Sequence, residues 1–145
     1  MTGEYRMDGL AVPESLEQLH ELLERVRRDH PDVDETALMM FETAVVEIHG
    51  NVIRHGRPRG KVSYEFRLEV QDDRLRAHLT TDDDEVPDLS HLHGLEPADP
   101  MAESGRGLWL AEAMLDELRY ARSGNHNIWT MVKLLDTVSG DAGRP

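Results

Sequence analysis

The feature that most constrains the fold is a pair of alternating apolar and polar runs between positions 62 and 79, on either side of the turn Gln71-Asp72-Asp73. Alternation with a period of two places the apolar side chains on one face of a strand. The pattern predicts an antiparallel hairpin with one buried face, which other elements must cover. The alternating apolar residues are Val62, Tyr64, Phe66, Leu68 and Val70, followed by Leu75, Ala77 and Leu79.

Two segments with helical periodicity precede this hairpin. Pro13 and the spacing of Ser15 and Gln18, which is like that of a capping box, signal the start of the first segment, which ends near Pro31. The second follows Asp34, a predicted N-cap, and runs to about Arg54. Apolar residues recur in both segments at the spacing of one helical face, so we expect both helices to pack on the sheet.

A third helical segment follows Gly105 and Gly107 and carries apolar residues up to Leu118. A helix N-terminus flanked by glycines is a ready phosphate site, because its free N–H groups face outward and no Cβ blocks approach. The segment before it, from 82 to 104, is acidic, contains proline and has no sustained period. It is predicted to be a long functional loop.

A leading strand at 5–12 and a closing hairpin of 118–121 and 128–135 complete the predicted elements. The order predicts an α+β domain, with helices packed on one face of a mixed, mostly antiparallel sheet. We expect residues 1–137 to form a single domain and residues 138–145 to be a disordered tail.

Glu47 and Asn51 lie one turn apart in the second helical segment, with Gly50 beside them. Residues four apart share one flank of a helix, and a buried helix seldom carries two polar groups and a glycine together without a use for them. An amide oxygen is a hard ligand for Mg²⁺, and a carboxylate can position or deprotonate a nucleophile. The pair suggests metal-assisted phosphoryl transfer, although such a pair can also be simply solvated.

The segment from Phe41 to Gly56, FETAVVEIHGNVIRHG, resembles the N box of the Bergerat-fold ATPases, the superfamily of gyrase, MutL and the histidine kinases. The run Gly105-Arg106-Gly107-Leu108 is similar to the second glycine box of that superfamily. The short length and the segments GRGLWLAEAMLDELRY and IWTMVKLL look most like the anti-sigma factor serine kinases of the RsbW and SpoIIAB type. The resemblance covers roughly residues 5 to 135 and implies a Bergerat, or histidine-kinase-like ATPase, fold.

The resemblance implies binding of ATP and Mg²⁺. Glu47 would be the catalytic base that positions the accepting hydroxyl, and Asn51 would hold Mg²⁺ and contact the nucleotide. The further nucleotide-binding residues that it implies are Thr81, Asp82, Gly105, Arg106, Gly107, Leu108 and Thr130.

The first glycine box departs from the family pattern of an Asp followed by two glycines two apart. The chain reads TDDDEVPD from position 81, so that the adenine-reading Asp falls on Thr81 and the glycines on Asp83 and Glu85. A slip of one residue recovers Asp82 as the Asp but recovers neither glycine. Side chains at these positions would crowd and repel a triphosphate, so we expect nucleotide affinity below the family norm.

Members of this family bind and occlude a sigma factor, and many phosphorylate a serine on an antagonist protein. We therefore expect an anti-sigma factor of a bacterial partner-switching system of the stress-response type, with a sigma factor and a STAS-type antagonist as partners. Whether kinase activity survives the altered glycine box is open at this stage, and the resemblance suggests a homodimer. The alternatives are a fully active Mg-ATP serine kinase, in which Asp82 replaces the usual Asp, and a detached histidine-kinase catalytic domain. The latter fits less well because no dimerising helix pair with a phospho-acceptor His is visible.

A formal net charge of −13 argues against direct binding to nucleic acid or acidic membrane and favours basic partners. The sequence contains no cysteine, no leader at its N-terminus and no apolar run long enough to span a membrane, so we expect a cytoplasmic protein. His91 and His93 form an HxH that could ligate a metal, but no Cys completes a set.

Overall fold

The computed structural model describes residues 2–86 and 103–136, and for residues 103–106 it describes the backbone alone. Most of the predicted loop, with His91 and His93, and the predicted tail lie outside the described residues. Within the described part of the chain, no helix is both long and apolar enough to cross a bilayer. The elements in chain order are β1 (Gly3–Leu10), α1 (Pro13–Asp29), α2 (Glu35–His55), β2 (Ser63–Val70), β3 (Arg74–Thr81), α3 (Glu103–Met114), β4 (Glu117–Ser123) and β5 (His126–Leu134).

The five strands form one sheet in the order β1-β2-β3-β5-β4, and every neighbouring pair is antiparallel. The predicted hairpin is confirmed, because β2 pairs with β3 from Tyr64 opposite Thr81 to Val70 opposite Leu75. The closing hairpin is also confirmed as β4 and β5, with Tyr120 opposite Trp129. The α+β class predicted from the sequence is therefore the observed one.

The alternating apolar residues of the sheet point towards the helices, as their period predicts. Trp129, Phe66, Leu68 and Met131 from the strands are almost fully buried, as is Phe41 from α2. The residues between them are more exposed and form the opposite face of the sheet. One hydrophobic core therefore lies between the sheet and the helices.

The start of α2 follows the prediction, and α1 begins at Pro13, as predicted, but without the predicted capping box. Asp34 caps α2, and its carboxylate accepts a hydrogen bond from the backbone N–H of Ala37 at 2.8 Å. The capping box predicted for Ser15 is wrong, because the N-cap of α1 is Val12 and Pro13 is the first helical residue. Proline has a backbone φ already suited to this position, so the helix begins before Ser15.

The predicted start of the third helix is also wrong. This helix, α3, begins at Glu103, so Gly105 and Gly107 lie inside it rather than before it. It ends at Met114, because the N–H of Asp116 already bonds to Val132 O of β5 at 2.9 Å. Leu118 consequently belongs to β4. The glycine at 107 lies where α3 packs against α2, and that contact builds the candidate site.

Candidate functional site

Glu47 and Asn51 lie on one flank of α2, as predicted from their spacing. The helix buries its other flank, including Ala44, Val45 and Ile48, under the sheet. This anchoring leaves both polar side chains half-buried at the edge of the core. The flank therefore presents a carboxylate and an amide at fixed positions one turn apart.

Gly107 brings the backbone of α3 against Glu47. A Cβ atom at Gly107 would lie only 3.1 Å from Glu47 Oε1. Few real Cβ atoms have neighbours this close, so a side chain here would press on the carboxylate. The absence of a Cβ lets the two helices enclose Glu47 between them.

Asn51 contributes a buried acceptor whose hydrogen-bonding capacity is unused. Its Oδ1 is shielded from solvent and has no hydrogen-bond partner among the described residues. An unsatisfied buried carbonyl is costly, and such groups mark strain, catalysis or a missing ion. A hard amide oxygen beside the Glu47 carboxylate fits Mg²⁺, which binds proteins through few oxygens and otherwise keeps waters or phosphates. No cluster of three or more His, Cys, Asp or Glu that could hold a metal by itself occurs in the described part.

Arg54 is a site residue that the motif reading did not identify. Its Nη1 lies 3.1 Å from where a Cβ of Gly50 would be, and its Nη2 lies 4.0 Å from the corresponding point at Gly107. The guanidinium is therefore directed back along α2 towards Glu47 and the start of α3. Arg54 makes no ion pair with any residue of the described ranges. Arg54 is in the last turn of α2, three residues after Asn51. This spacing could have indicated that the two residues share a flank of the helix.

A buried polar network, which we call the floor network, lies against Gly56, the residue that follows α2. Asp83 Oδ1 accepts hydrogen bonds from the Thr81 hydroxyl at 2.5 Å and from Asn127 Nδ2 at 2.7 Å. Its Oδ2 lies 2.9 Å from where a Cβ of Gly56, the residue after α2, would lie. Arg122 donates to the Asp83 carbonyl at 2.6 Å, which holds the start of the acidic run in place. Thr81, Asp83 and Asn127 are all buried.

Asn127 has a central position in this network, and sequence reasoning missed it. Its Nδ2 also donates to Asp84 O at 2.8 Å, and its Oδ1 accepts from Arg122 at 2.9 Å and from the Tyr120 hydroxyl. The side chain thus joins the β4–β5 hairpin to the end of β3. Polar residues near a β-turn are common, so the sequence alone does not single out Asn127. Its importance becomes visible once β5 is paired with β3, which places Asn127 opposite Thr81.

Three residues implied by the resemblance are directed elsewhere. The Thr130 hydroxyl lies 3.3 Å from His78 Nδ1 on the face of the sheet away from the helices. Asp82 is exposed, and its Oδ1 accepts from the Ser63 N–H at 2.7 Å, so it extends the strand pairing. Leu108 is 4% exposed and packs in the core. Alternation along β5 explains the orientation of Thr130. Asn127 and Thr130 are three residues apart, so their side chains must lie on opposite faces of the sheet.

The remaining implied residues are only partly described. Gly105 and Arg106 lie in the first turn of α3, where the backbone alone is described. They therefore stay predicted nucleotide contacts. Gly107 lies beside Glu47, and Thr81 lies in the floor network, so these two belong to the candidate site.

His49 lies on α2 between Glu47 and Asn51 but serves packing. It is 1% exposed, its Nε2 lies 2.8 Å from Ser15 Oγ, and its ring contacts Tyr64 edge to face. Burial lowers the pKa of His49 to about 4, so the ring is neutral near pH 7. Ser15 donates its own proton to Val12 O at 2.6 Å, so the Nε2 of His49 carries a proton and donates to Ser15.

Comparison with known proteins agrees with this fold. The sequence profile of the histidine kinase-like ATPase domain matches residues 10–133. No curated protein matches the sequence significantly. Among solved structures, the RsbU and RsbW domains of Rv1364c from Mycobacterium tuberculosis superpose with a TM-score of 0.65 at 16% identity, over 92% of this chain and 32% of that one.

Two histidine kinases are also similar in fold. The histidine kinase domain of the blue-light activated histidine kinase from Erythrobacter litoralis EL346 gives a TM-score of 0.58 at 15% identity, over 84% of this chain and 61% of that chain. Acinetobacter baumannii histidine kinase AdeS gives 0.50 at 13% identity, over 90% and 68%. The chain thus spans about a third of the first structure's length and less than two thirds of the second's. By its sequence profile and its architecture, the chain belongs to the histidine kinase-like ATPase domain family.

Proposed function

We propose that this domain is an anti-sigma factor of a partner-switching system that binds Mg-ATP between α2 and α3 and phosphorylates a serine of its antagonist. The observation that carries the nucleotide site is the buried Asn51 Oδ1, which has no hydrogen-bond partner in the described part of the chain. It lies one turn from a Glu47 carboxylate enclosed by the backbone of Gly107. An acceptor for a hard cation and a base for a hydroxyl are the two groups that phosphoryl transfer requires from the protein.

In the proposed site, Asn51 would hold Mg²⁺ and Arg54 would contact the phosphates. When bound, Mg²⁺ neutralises charge that develops on the phosphate oxygens. Glu47 orients the serine hydroxyl and accepts its proton as the serine oxygen bonds to the γ-phosphorus. The bond from that phosphorus to its bridging oxygen breaks, and ADP leaves with the electron pair.

The regulatory half of the proposal has two supports. The fold is similar to that of the RsbU and RsbW domains of Rv1364c, and the chain has a formal net charge of −13. An acidic surface is complementary to the basic, DNA-binding surfaces of a sigma factor and would speed their encounter. The sigma factor would therefore be held away from DNA until the antagonist displaces it.

Calorimetric titration with Mg-ATP tests the nucleotide site. We expect measurable binding by the natural protein and loss of at least tenfold in affinity for Asn51→Ala. Because Asn51 Oδ1 is unsatisfied without ligand, the same change should not lower the free energy of unfolding of the free protein. Equal affinity in both proteins would reject Asn51 as the metal ligand.

Labelled ATP and a panel of sigma factors and STAS-type proteins from the same cell test the activity and partners. We expect one sigma factor to co-purify, and one STAS-type protein to acquire acid-stable phosphate that Glu47→Ala abolishes. Acid-labile phosphate on a histidine would instead favour the histidine-kinase alternative. Failure to retain any sigma factor would reject the anti-sigma role.

A further inference from the structure

An open groove of about 640 Å³ between α1 and α2 has Glu47 as part of its lining. Its other lining residues on α2 include Thr43 and Val46, the latter within one helical turn of Glu47. Glu47 therefore belongs both to the enclosure made with Gly107 and to a solvent-open groove. A group lying in the groove would have direct access to the proposed base.

The groove combines an apolar part with an acidic rim. Leu23 and Val46 provide the apolar surface, and Glu21 and Glu24 from α1 are exposed at the side. Neither of these two carboxylates forms an ion pair with a described residue. The rim is therefore available to a cation from outside.

The one guanidinium of the lining is already neutralised. Arg27 donates to Glu42 at 2.7 Å and to Glu35 at 2.7 Å. Both of its partners are carboxylates of α2, so the cation holds α1 and α2 together at the groove rather than offering its charge to a ligand. One guanidinium shared by two carboxylates leaves a formal charge of −1, so this group adds to the negative field of Glu21, Glu24 and Glu47. His20 is the other basic side chain of the lining.

We propose that this groove binds an extended segment of the antagonist, the protein that this domain phosphorylates. In that segment, Lys or Arg residues flank the accepting serine. The inference rests on the proposed function, since it assigns the route by which the accepting hydroxyl reaches Glu47. The flanking cations would pair with Glu21 and Glu24, and the aliphatic parts of their side chains would cover Leu23 and Val46. An acidic segment would be repelled by the same rim.

The test uses two peptides of ten residues and the full chain. One peptide has a central serine flanked by arginines, and the other has glutamates in their place. In nuclear magnetic resonance titrations without nucleotide, we expect the basic peptide to shift amide signals of Leu23, Thr43 and Val46. The acidic peptide should shift none of them.

Charge reversal gives the matched comparison. The double variant Glu21→Lys, Glu24→Lys should bind the basic peptide at least tenfold more weakly than the natural protein. The matched control is Glu17→Lys, an exposed carboxylate of the same helix outside the groove, and it should change affinity less than twofold. Unchanged affinity in the double variant, or shifts confined to another surface, would overturn the inference.

The two proposals fail in different ways. Mg-ATP binding is measured separately, by the effect of Asn51→Ala. If the basic peptide binds the groove as expected while Mg-ATP does not bind, the groove assignment stands and the proposed catalysis falls. If Mg-ATP binds through Asn51 but the peptide is indifferent to Glu21 and Glu24, the groove assignment alone falls.

Discussion

Glu47 Oε1 and the α-carbon of Gly107 face each other so closely that a Cβ on Gly107 would lie 3.1 Å from the carboxylate oxygen. Glu47 lies in the second half of α2, and Gly107 lies in the first half of α3. The packing of α2 on α3 therefore places the backbone of Gly107 against the carboxylate. A substitution at Gly107 should therefore move the Glu47 carboxylate while leaving the carboxylate itself unchanged.

Gly107→Ala tests this relationship. Alanine favours a helix interior over glycine by about 1 kcal/mol, so the variant should be at least as stable as the natural protein. The added methyl should displace Glu47 and slow phosphoryl transfer at least tenfold. Gly50→Ala, measured like Gly107→Ala at saturating Mg-ATP, is the comparison, because its Cβ would meet the flexible end of Arg54 and leave Glu47 in place. Equal transfer rates in the two variants would show that the position of Glu47 is not set by Gly107.

Arg54→Ala should weaken Mg-ATP binding by about tenfold, which corresponds to about 1.4 kcal/mol. The reason is that the guanidinium, which makes no ion pair with a described residue, lies beside Gly50 and Gly107, where the phosphates would lie in the proposed site. Arg59→Ala, which removes an exposed cation from the following loop, is the matched control. A loss of similar size in both variants would point to general charge attraction and not to a contact with Arg54.

The main features of the fold could be predicted because the sequence periods match the elements that they form. The alternation from Val62 to Leu79 became β2 and β3, and the helical stripe around Glu47 became α2. Glu47 and Asn51 could be paired for the same reason, since their relation is local to one helix. The bounds of α3 could not be predicted. Its glycines suggest a loop, but glycine is tolerated in a helix that packs closely on another helix.

The floor network could not be predicted because it joins distant segments. Asp83 and Asn127 are hydrogen-bonded across a separation of 44 residues, and no local pattern in the chain indicates that pair. Thr130 was chosen from the family resemblance alone, and the register of β5 places its side chain on the face of the sheet away from the helices. The acidic run also reads as one feature in sequence, whereas the fold buries Asp83 and leaves Asp82, Asp84 and Glu85 exposed.

Asp83→Asn should raise the affinity for Mg-ATP by about tenfold. Asp83 is the residue expected to crowd and repel the triphosphate, because it is buried whereas Glu85 is exposed. The amide keeps an oxygen to accept from Thr81 and Asn127, so the network survives while the buried negative charge is removed. Glu85→Gln removes the same charge from the exposed neighbour and should change affinity less than twofold. Weaker binding by Asp83→Asn would show that the carboxylate holds the nucleotide and does not repel it.

The pH dependence of stability should contain a contribution from His49. Its pKa is about 4 in the folded protein, because burial disfavours the charged ring, whereas a histidine in an unfolded chain has a pKa of about 6.5. The unfolded chain therefore binds more protons between these two values, so the free energy of unfolding falls as the pH drops through this window. The full shift corresponds to a loss on the order of 3 kcal/mol, and the contribution is fully present above about pH 6.5.

Denaturant unfolding at several pH values from 4 to 7 measures this contribution. His49→Gln removes the titrating ring, so its free energy of unfolding should fall less steeply with acid than that of the natural protein. His126→Gln is the control, because His126 is exposed at the β4–β5 turn. His49→Gln will also be less stable at pH 7, since it disturbs the contacts with Ser15 and Tyr64. The slope with pH, and not the stability at one pH, is therefore the decisive quantity, and identical slopes in all three proteins would reject the role of His49.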